Sequence, residues 1–197
     1  ILLGKQPDSA IVFLQNSLTQ LPESFLLQLT LARAYDATSQ TDEAMKLVDA
    51  MLTKNPQQVD VLKMKADLLD KKGETTAAIS LLEQAYAVTP YDIDLNYALA
   101  FKYAENKNPK VIALCDSLIR IDSVNAHAEP HYYKGIYYTN IGDYAKALSS
   151  FELANQNDYT YLNAYIEKGR VLVDMKKYAD ALKTFTLANT ISPKFPD

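Results

Sequence analysis

Residues 132–154 read YYKGIYYTNIGDYAKALSSFELA, and much of this stretch returns 34 residues later as YIEKGRVLVDMKKYADALKTFTLA, which ends at Ala188. Five pairs of identical residues recur at that spacing: Gly135 and Gly169, Tyr144 and Tyr178, Ala147 and Ala181, Phe151 and Phe185, Ala154 and Ala188. Self-similarity at a fixed period of a few tens of residues is the signature of a repeat architecture. The sequence therefore predicts a fold built from one repeated unit.

The period extends over nearly the whole chain. Alanines continue it in both directions, with one extra residue between the third and the fourth of them: Ala10, Ala44, Ala78, Ala113, Ala147 and Ala181. Prolines stand twelve residues after four of these alanines, at Pro22, Pro56, Pro90 and Pro193, with Asn125 and Tyr159 in the corresponding places of the other two units. Because proline cannot continue a helix, these positions predict the end of each unit.

Each unit is predicted to contain two helices. In 128–161, Pro130 suits the first turn of a helix, and apolar residues recur at helical spacing from Tyr133 to Ile141. Gly142 and Asp143 then predict a break and the start of a second helix. A small residue also recurs twelve positions before the alanine, as in Gly135. Small residues let two helix backbones approach closely, which favours stacked helix pairs.

This pattern resembles the tetratricopeptide repeat (TPR). The resemblance implies an all-α, right-handed superhelical solenoid of antiparallel helix pairs over 1–197. It divides the chain into a partial repeat at 1–24, which holds a second helix, and full repeats at 25–58, 59–93, 94–127, 128–161 and 162–195. The unit 94–127 departs most from the pattern, since Phe101 stands at the small position and Ser117 at the bulky one.

Composition and motifs argue against catalysis. The 197 residues carry a formal net charge of −4, so no basic surface for nucleic acid is indicated. Cys115 is the only cysteine and is predicted to be a buried apolar residue. The histidines His127 and His131 flank Glu129 and Pro130, and the predicted helix start between them disfavours a zinc site. We therefore expect no enzyme activity, no catalytic residue, no cofactor, no metal and no small-molecule substrate.

The resemblance implies that a protein or peptide partner lies in the concave groove formed by the first helix of each pair. The candidate binding residues are Arg33, Lys63, Lys102, Asn106, Tyr132, Ile136, Asn140, Ile166 and Arg170. Tyr132, Ile136 and Ile166 are predicted anchors, and Lys102, Asn140 and Arg170 are predicted to set polarity and register. The lysine–asparagine clamp of the chaperone-binding members is disfavoured, since Asp67 follows Lys63 where that clamp has asparagine.

The predicted function is a non-catalytic scaffold or adaptor, and the repeat style suggests a bacterial protein, with a role in cell-envelope assembly as one setting. The alternative is the interaction or regulatory part of a larger enzyme or sensor kinase. A third expectation is self-association through the last repeat, which lacks the usual capping helix. The chain begins at Ile1 and is expected to be a piece of a longer array. Localisation, whether cytoplasmic, periplasmic or membrane-anchored, is therefore not assigned.

Overall fold

The computed structural model describes residues 7–121 and 128–192, and regular structure in these ranges consists of α-helices alone. The helices are α1 (Pro7–Gln20), α2 (Phe25–Ala37), α3 (Thr41–Lys54), α4 (Val59–Lys71), α5 (Thr75–Val88), α6 (Ile93–Glu105), α7 (Lys110–Ile121), α8 (Ala128–Asn140), α9 (Tyr144–Asn157), α10 (Leu162–Asp174) and α11 (Tyr178–Ile191). The all-α prediction from the sequence is confirmed. The predicted roles of Asn125, His127 and Pro193 fall outside the described residues.

The turn inside each helix pair has the same backbone conformation. One residue in each turn has a positive φ, between 55° and 81°, and these residues are Ser39, Gly73, Lys107, Gly142 and Lys176. In the turn from α8 to α9, the amide of Gly142 donates to the carbonyl of Thr139 at 3.0 Å and that of Asp143 to Tyr138 at 2.9 Å. This pair of bonds defines the Schellman motif, which satisfies carbonyl groups at a helix end.

The turns also locate the extra residue in the repeat period. Four of the second helices begin two residues after the left-handed residue, whereas α7 begins three residues after Lys107. The additional residue belongs to the Asn108–Pro109 segment, where the Asn108 Oδ1 accepts a hydrogen bond from the amide of Lys110 at 3.0 Å. The insertion therefore lengthens one turn and leaves the helices intact.

The chain forms two compact units, Ile1–Leu95 and Asn96–Asp197, whose boundary falls within α6. In the first unit, successive helices from α1 to α5 pack on one another, and α2 also contacts α4. Its main core contains Leu29, Ala32, Ala44, Val48, Met51, Val61, Met64 and Leu68. An ion pair between Lys71 of α4 and Asp36 of α2, at 2.6 Å, joins two first helices.

In the second unit, glycine makes room for an aromatic ring. A Cβ atom added to Gly135 of α8 would lie 2.4 Å from Cε1 of Phe151, which is completely buried on α9. Gly169 has the same relation to Phe185, also with 2.4 Å to Cε1. Neither glycine has a positive φ, so the ring and not the backbone conformation requires the missing side chain. The recurring small residue thus permits close packing within each of these pairs.

Candidate protein-binding face

The first helices of the second unit share a face with five aromatic side chains. They form a continuous set of ring contacts, which we call the aromatic cluster: Tyr97, Phe101, Tyr132, Tyr133 and Tyr161. The Tyr133 ring lies 5.7 Å from that of Phe101 and 5.9 Å from that of Tyr132, and Tyr132 lies 5.4 Å from Tyr161, centre to centre. All five side chains are half-buried. The cluster therefore joins α6, α8 and the residue preceding α10, and it keeps part of each ring open to solvent.

Tyr132 is more enclosed than a freely projecting anchor. Its ring also lies 5.9 Å from Phe151, and Tyr132 and Ile136 both pack against the buried core of the second unit. Burial is the main cause of its raised pKa, with the charge of Glu167 adding to it. The structure thus brings two predicted anchors, Tyr132 and Ile136, into one surface, while the third, Ile166, is half-buried on α10.

Glu129 places a carboxylate on the same side of α8 as the cluster. It stands three and four residues before Tyr132 and Tyr133, a spacing that puts side chains next to each other on a helix. Glu129 is exposed on α8, yet partial desolvation by its surroundings raises the pKa of its carboxyl. Burial also raises the pKa of the Tyr133 and Tyr161 phenols, and the negative charge of Glu129 is the second cause in both. The Glu129 charge therefore acts on two rings of the cluster, consistent with its helical spacing from Tyr133.

The charged candidates of this unit already have partners on their own helices. The Lys102 ammonium lies 3.6 Å from a carboxylate oxygen of Glu105, and the Arg170 guanidinium lies 2.6 Å from Glu167. Lys102 also lies 5.4 Å from the centre of the Phe101 ring. The positive charges of Lys102 and Arg170 are therefore largely compensated by carboxylates of the same chain.

The two asparagine candidates contact backbone carbonyl groups. Asn140 Nδ2 donates to the carbonyl oxygen of Ala104 at 3.1 Å, which ties the end of α8 to the end of α6. Asn106 Nδ2 donates to the carbonyl of Lys102 at 2.9 Å and so caps its own helix. Both side chains thus take part in holding helix ends.

The two candidates of the first unit lie on neighbouring first helices. Lys63 of α4 pairs with Asp92 at 3.4 Å, with both side chains about one third exposed. Arg33 of α2 is exposed, and its guanidinium contacts no acceptor among the described residues. Arg33 is therefore the one candidate cation whose charge is not compensated within the described part of the chain.

Several residues of the face were not selected from the sequence. Tyr97, Phe101 and Tyr161 lie outside the groove positions that the family pattern supplies, and Tyr161 precedes α10. The uneven distribution of tyrosine along the chain was the available signal, since every tyrosine except Tyr35 lies at or beyond Tyr86. Which of them share a surface depends on the packing of α6, α8 and α10.

Neither a reactive cysteine nor a metal-binding cluster is present among the described residues. Burial raises the pKa of the Cys115 thiol to about 12, so the thiol stays protonated and unreactive near neutral pH. No group of three or more histidine, cysteine, aspartate or glutamate side chains within 7–121 and 128–192 is arranged to hold a metal ion. Across the same ranges, every helix is too short or too polar to cross a bilayer.

The sequence matches models of the tetratricopeptide repeat over residues 2–68 and 162–195. A tetratricopeptide repeat protein from Parabacteroides merdae is similar in structure, with a TM-score of 0.81 at 17% identity, over 94% of this chain and 73% of that protein. No curated protein matches the sequence. The fold consists of helix pairs that share one type of turn and have small residues where the helices cross. Together with these matches, it defines the class of helical-repeat proteins.

Within that class, the chain belongs to the tetratricopeptide repeat family. Two further solved structures share the fold. YrrB, described as a TPR protein with an unusual peptide-binding site, has a TM-score of 0.67 at 17% identity, over 92% of this chain and 93% of its own. MamA from Desulfovibrio magneticus RS-1 has a TM-score of 0.71 at 13% identity, over 87% and 96%. At these identities the likeness concerns the fold alone.

Proposed function

We propose that this protein is a non-catalytic scaffold that binds a peptide or helix of another protein on the face formed by its first helices. The observation that carries the proposal is the aromatic cluster, which leaves part of five half-buried rings open to solvent on one surface of the second unit. Aromatic side chains provide large contact areas at low cost in conformational entropy and are enriched where proteins bind proteins. The peptide-binding site named for YrrB supports a protein partner by analogy of fold.

The proposed contact residues are those expected from the sequence, namely Arg33, Lys63, Lys102, Asn106, Tyr132, Ile136, Asn140, Ile166 and Arg170. Of these, Tyr132, Ile136 and Ile166 would contact apolar groups of the partner. The helix pairing supports the proposed division into repeats at 25–58, 59–93, 94–127, 128–161 and 162–195. A setting in bacterial cell-envelope assembly is the narrower form of the proposal, and fractionation of the producing cells tests it.

Site-specific photo-crosslinking tests the face directly. A photoreactive phenylalanine analogue replaces Ile136, which is half-buried beside the cluster, and in a matched variant it replaces Leu153, an exposed apolar residue of α9. We expect a crosslinked protein with the probe at 136 and none with the probe at 153. Equal crosslinking at the two positions, or crosslinking at 153 alone, would contradict binding on the first-helix face.

The alternative from the sequence is that the chain is the interaction or regulatory part of a larger enzyme or sensor kinase. This alternative predicts a different crosslinked product. In that case, the probe at Ile136 would crosslink to a catalytic or transmembrane module of the same polypeptide when the full natural gene product is used. A separate protein at that position favours the adaptor.

Self-association is a second candidate, favoured by the surface of α11. Phe185 is 36% exposed, whereas Phe151, which stands 34 residues earlier and is covered by α10, has no exposed surface. Tyr178 and Leu182 extend the exposed stripe, and Leu182 is 68% exposed. A second copy of the chain could cover these side chains as α10 covers α9.

Light scattering over a range of protein concentrations tests this second candidate. Self-association through α11 predicts a mass that rises with concentration, and the rise should disappear in Leu182→Glu but persist in the control Leu153→Glu, whose side chain is exposed on α9. A constant monomer mass for the parent protein would exclude it.

A further inference from the structure

The chemistry of the cluster face selects one kind of partner side chain. Tyrosine and phenylalanine rings attract cations held within about 6 Å of the ring centre. The protein already places one of its own cations in this way, since the Lys102 ammonium lies 5.4 Å from the centre of the Phe101 ring. The cluster therefore has the electronic character that binds ammonium or guanidinium groups.

A carboxylate on the same face adds a counter-charge. No lysine or arginine of the described residues forms an ion pair with Glu129, whereas Glu105 and Glu167 are compensated by Lys102 and Arg170. Since these two pairs are neutral overall, the Glu129 charge gives the α6–α8–α10 face a local negative excess beside its half-buried rings. A positively charged group is the complement of this surface.

The ionised Glu129 side chain lowers the stability of the folded protein when no partner is bound. Glu129 is exposed, but partial desolvation of its carboxyl raises the pKa, so holding it ionised at neutral pH slightly disfavours the folded state relative to a neutral side chain. Charges kept under such conditions are found preferentially at functional sites. The direction of this pKa shift supports the argument from the ring contacts and the helical spacing.

We propose that the α6–α8–α10 face binds a basic segment of a partner protein, with a lysine or arginine side chain lying against the rings of the aromatic cluster and paired with Glu129. The inference rests on the proposed function, since it specifies the chemistry of a partner bound on the same face. It assigns the charge preference of the face to Glu129, whereas Lys102, Asn140 and Arg170 are predicted from the sequence to set polarity and register.

Matched synthetic peptides provide the test with the full chain. Three acetylated and amidated peptides of glycine, serine and alanine carry lysines, norleucines or glutamates at the same places. Binding is followed through the tyrosine ring signals in NMR titrations. Norleucine keeps most of the apolar stem of lysine, so the comparison isolates the ammonium group. We expect the lysine peptide to bind about tenfold more tightly than the norleucine peptide, as a partly shielded ion pair and cation–π contact together suggest.

Two variants test whether Glu129 carries that preference. Glu129→Gln should remove most of the tenfold preference, and circular dichroism confirms that this variant is folded. Asp180→Asn removes the same charge from an exposed position in the first turn of α11 and should leave the preference unchanged. Equal losses in the two variants would mean that the net charge of −4 attracts the peptide diffusely, and would overturn the proposal.

The outcomes also separate this inference from the proposed function. Equal binding of lysine and norleucine peptides, or preference for the glutamate peptide, overturns the basic-partner inference but leaves protein binding on this face intact. If no peptide binds while the Ile136 probe crosslinks a partner, the same conclusion follows. Crosslinking at Leu153 alone, in contrast, rejects the face itself.

Discussion

The close contact between Gly135 and Phe151 gives the sharpest test of the packing. In Gly135→Ala the new Cβ atom would lie 2.4, 2.6 and 2.8 Å from Cε1, Cδ1 and Cζ of the Phe151 ring, where ordinary contacts begin at about 3.4 Å. The ring must therefore move by about 1 Å, or the two helices must separate by a similar amount. Because Phe151 is completely buried, there is little free space for either movement.

The expected cost is the difference between two opposing terms. Overpacking a buried site costs about 1–3 kcal/mol, and the upper part of this range applies because the whole ring edge is affected. Alanine in place of glycine inside a helix gains about 1 kcal/mol. We therefore expect Gly135→Ala to lower the free energy of unfolding by about 2 kcal/mol, although alanine is the better helix former.

The assay measures this substitution in two backgrounds. In the Phe151→Leu protein the overlap is relieved, so Gly135→Ala should be neutral or stabilising there, with a coupling energy of about 2–3 kcal/mol. Urea unfolding followed by far-UV circular dichroism gives the free energies. Amide hydrogen exchange in α8 and α9 checks them locally, because repeat arrays do not always unfold in one step.

A control glycine separates ring overlap from backbone effects. Gly142 has a φ of +80°, and a Cβ atom there would meet nothing within 4 Å. Gly142→Ala should therefore cost about 1–2 kcal/mol equally in both backgrounds. If Gly135→Ala likewise has the same effect in both backgrounds, within about 0.5 kcal/mol, the proposed role of the Phe151 ring is wrong.

Four further predictions use other features. Gly169→Ala creates the same overlap, but Phe185 is 36% exposed and can swing outward, so its cost in urea unfolding should be smaller than that of the α8 substitution by about 1 kcal/mol. Lys176→Gly relieves a φ of 59° and should raise the free energy of unfolding by about 0.5–1 kcal/mol in the same assay; a loss of stability would contradict the turn conformation. Glu129→Gln should raise the melting temperature at pH 7. Since a raised carboxyl pKa favours the protonated folded state at acid pH and this advantage is lost as pH rises, the difference should vanish below about pH 4. Cys115, with a thiol pKa of about 12, should resist a disulfide reagent at pH 8 until urea unfolds the protein, and rapid labelling of the folded chain would refute its burial.

The helical fold was predictable because its signals are local or periodic. The spacing of the alanines from Ala10 to Ala181 marked the repeat, and Gly142 with Asp143 marked a turn that the structure confirms, with the Asp143 side chain accepting from the amide of Lys146. Ser39, Lys107 and Lys176 adopt the same left-handed conformation without a glycine. Their turns could be recognised only by their place in the period, because the helix pair imposes the conformation on residues that do not favour it.

Residue sizes at the helix crossings show where the family pattern no longer predicts the structure. In the unit 94–127, Phe101 stands where the neighbouring units have a small residue, and Ser117 stands where they have a bulky one. For this reason the unit departs from the pattern in sequence. The structure nevertheless forms both helices, α6 and α7, and Phe101 joins the aromatic cluster through Tyr133. The departure from the pattern thus supplies one ring of the candidate face.

The partners of the charged candidates could not be read from the chain. Lys102, Asn140 and Arg170 occupy positions that suggested contacts with a ligand, and each is engaged inside the second unit by a carboxylate or a carbonyl group. Side-chain partners depend on rotamers and on which turn of a neighbouring helix comes within reach, and neither follows from sequence spacing alone. The roles of these residues in binding stay predictions.

The amino-acid order was sufficient for the family, the all-α class and the places where helices start and end, because period, proline, glycine and capping residues act within a few neighbours. The stacking of α6, α8 and α10 decided the rest: it gathered Tyr97, Phe101, Tyr132, Tyr133 and Tyr161 into one surface with a carboxylate beside it. Those residues come from three separate segments of the chain, and only contacts between helices fix which of their side chains meet.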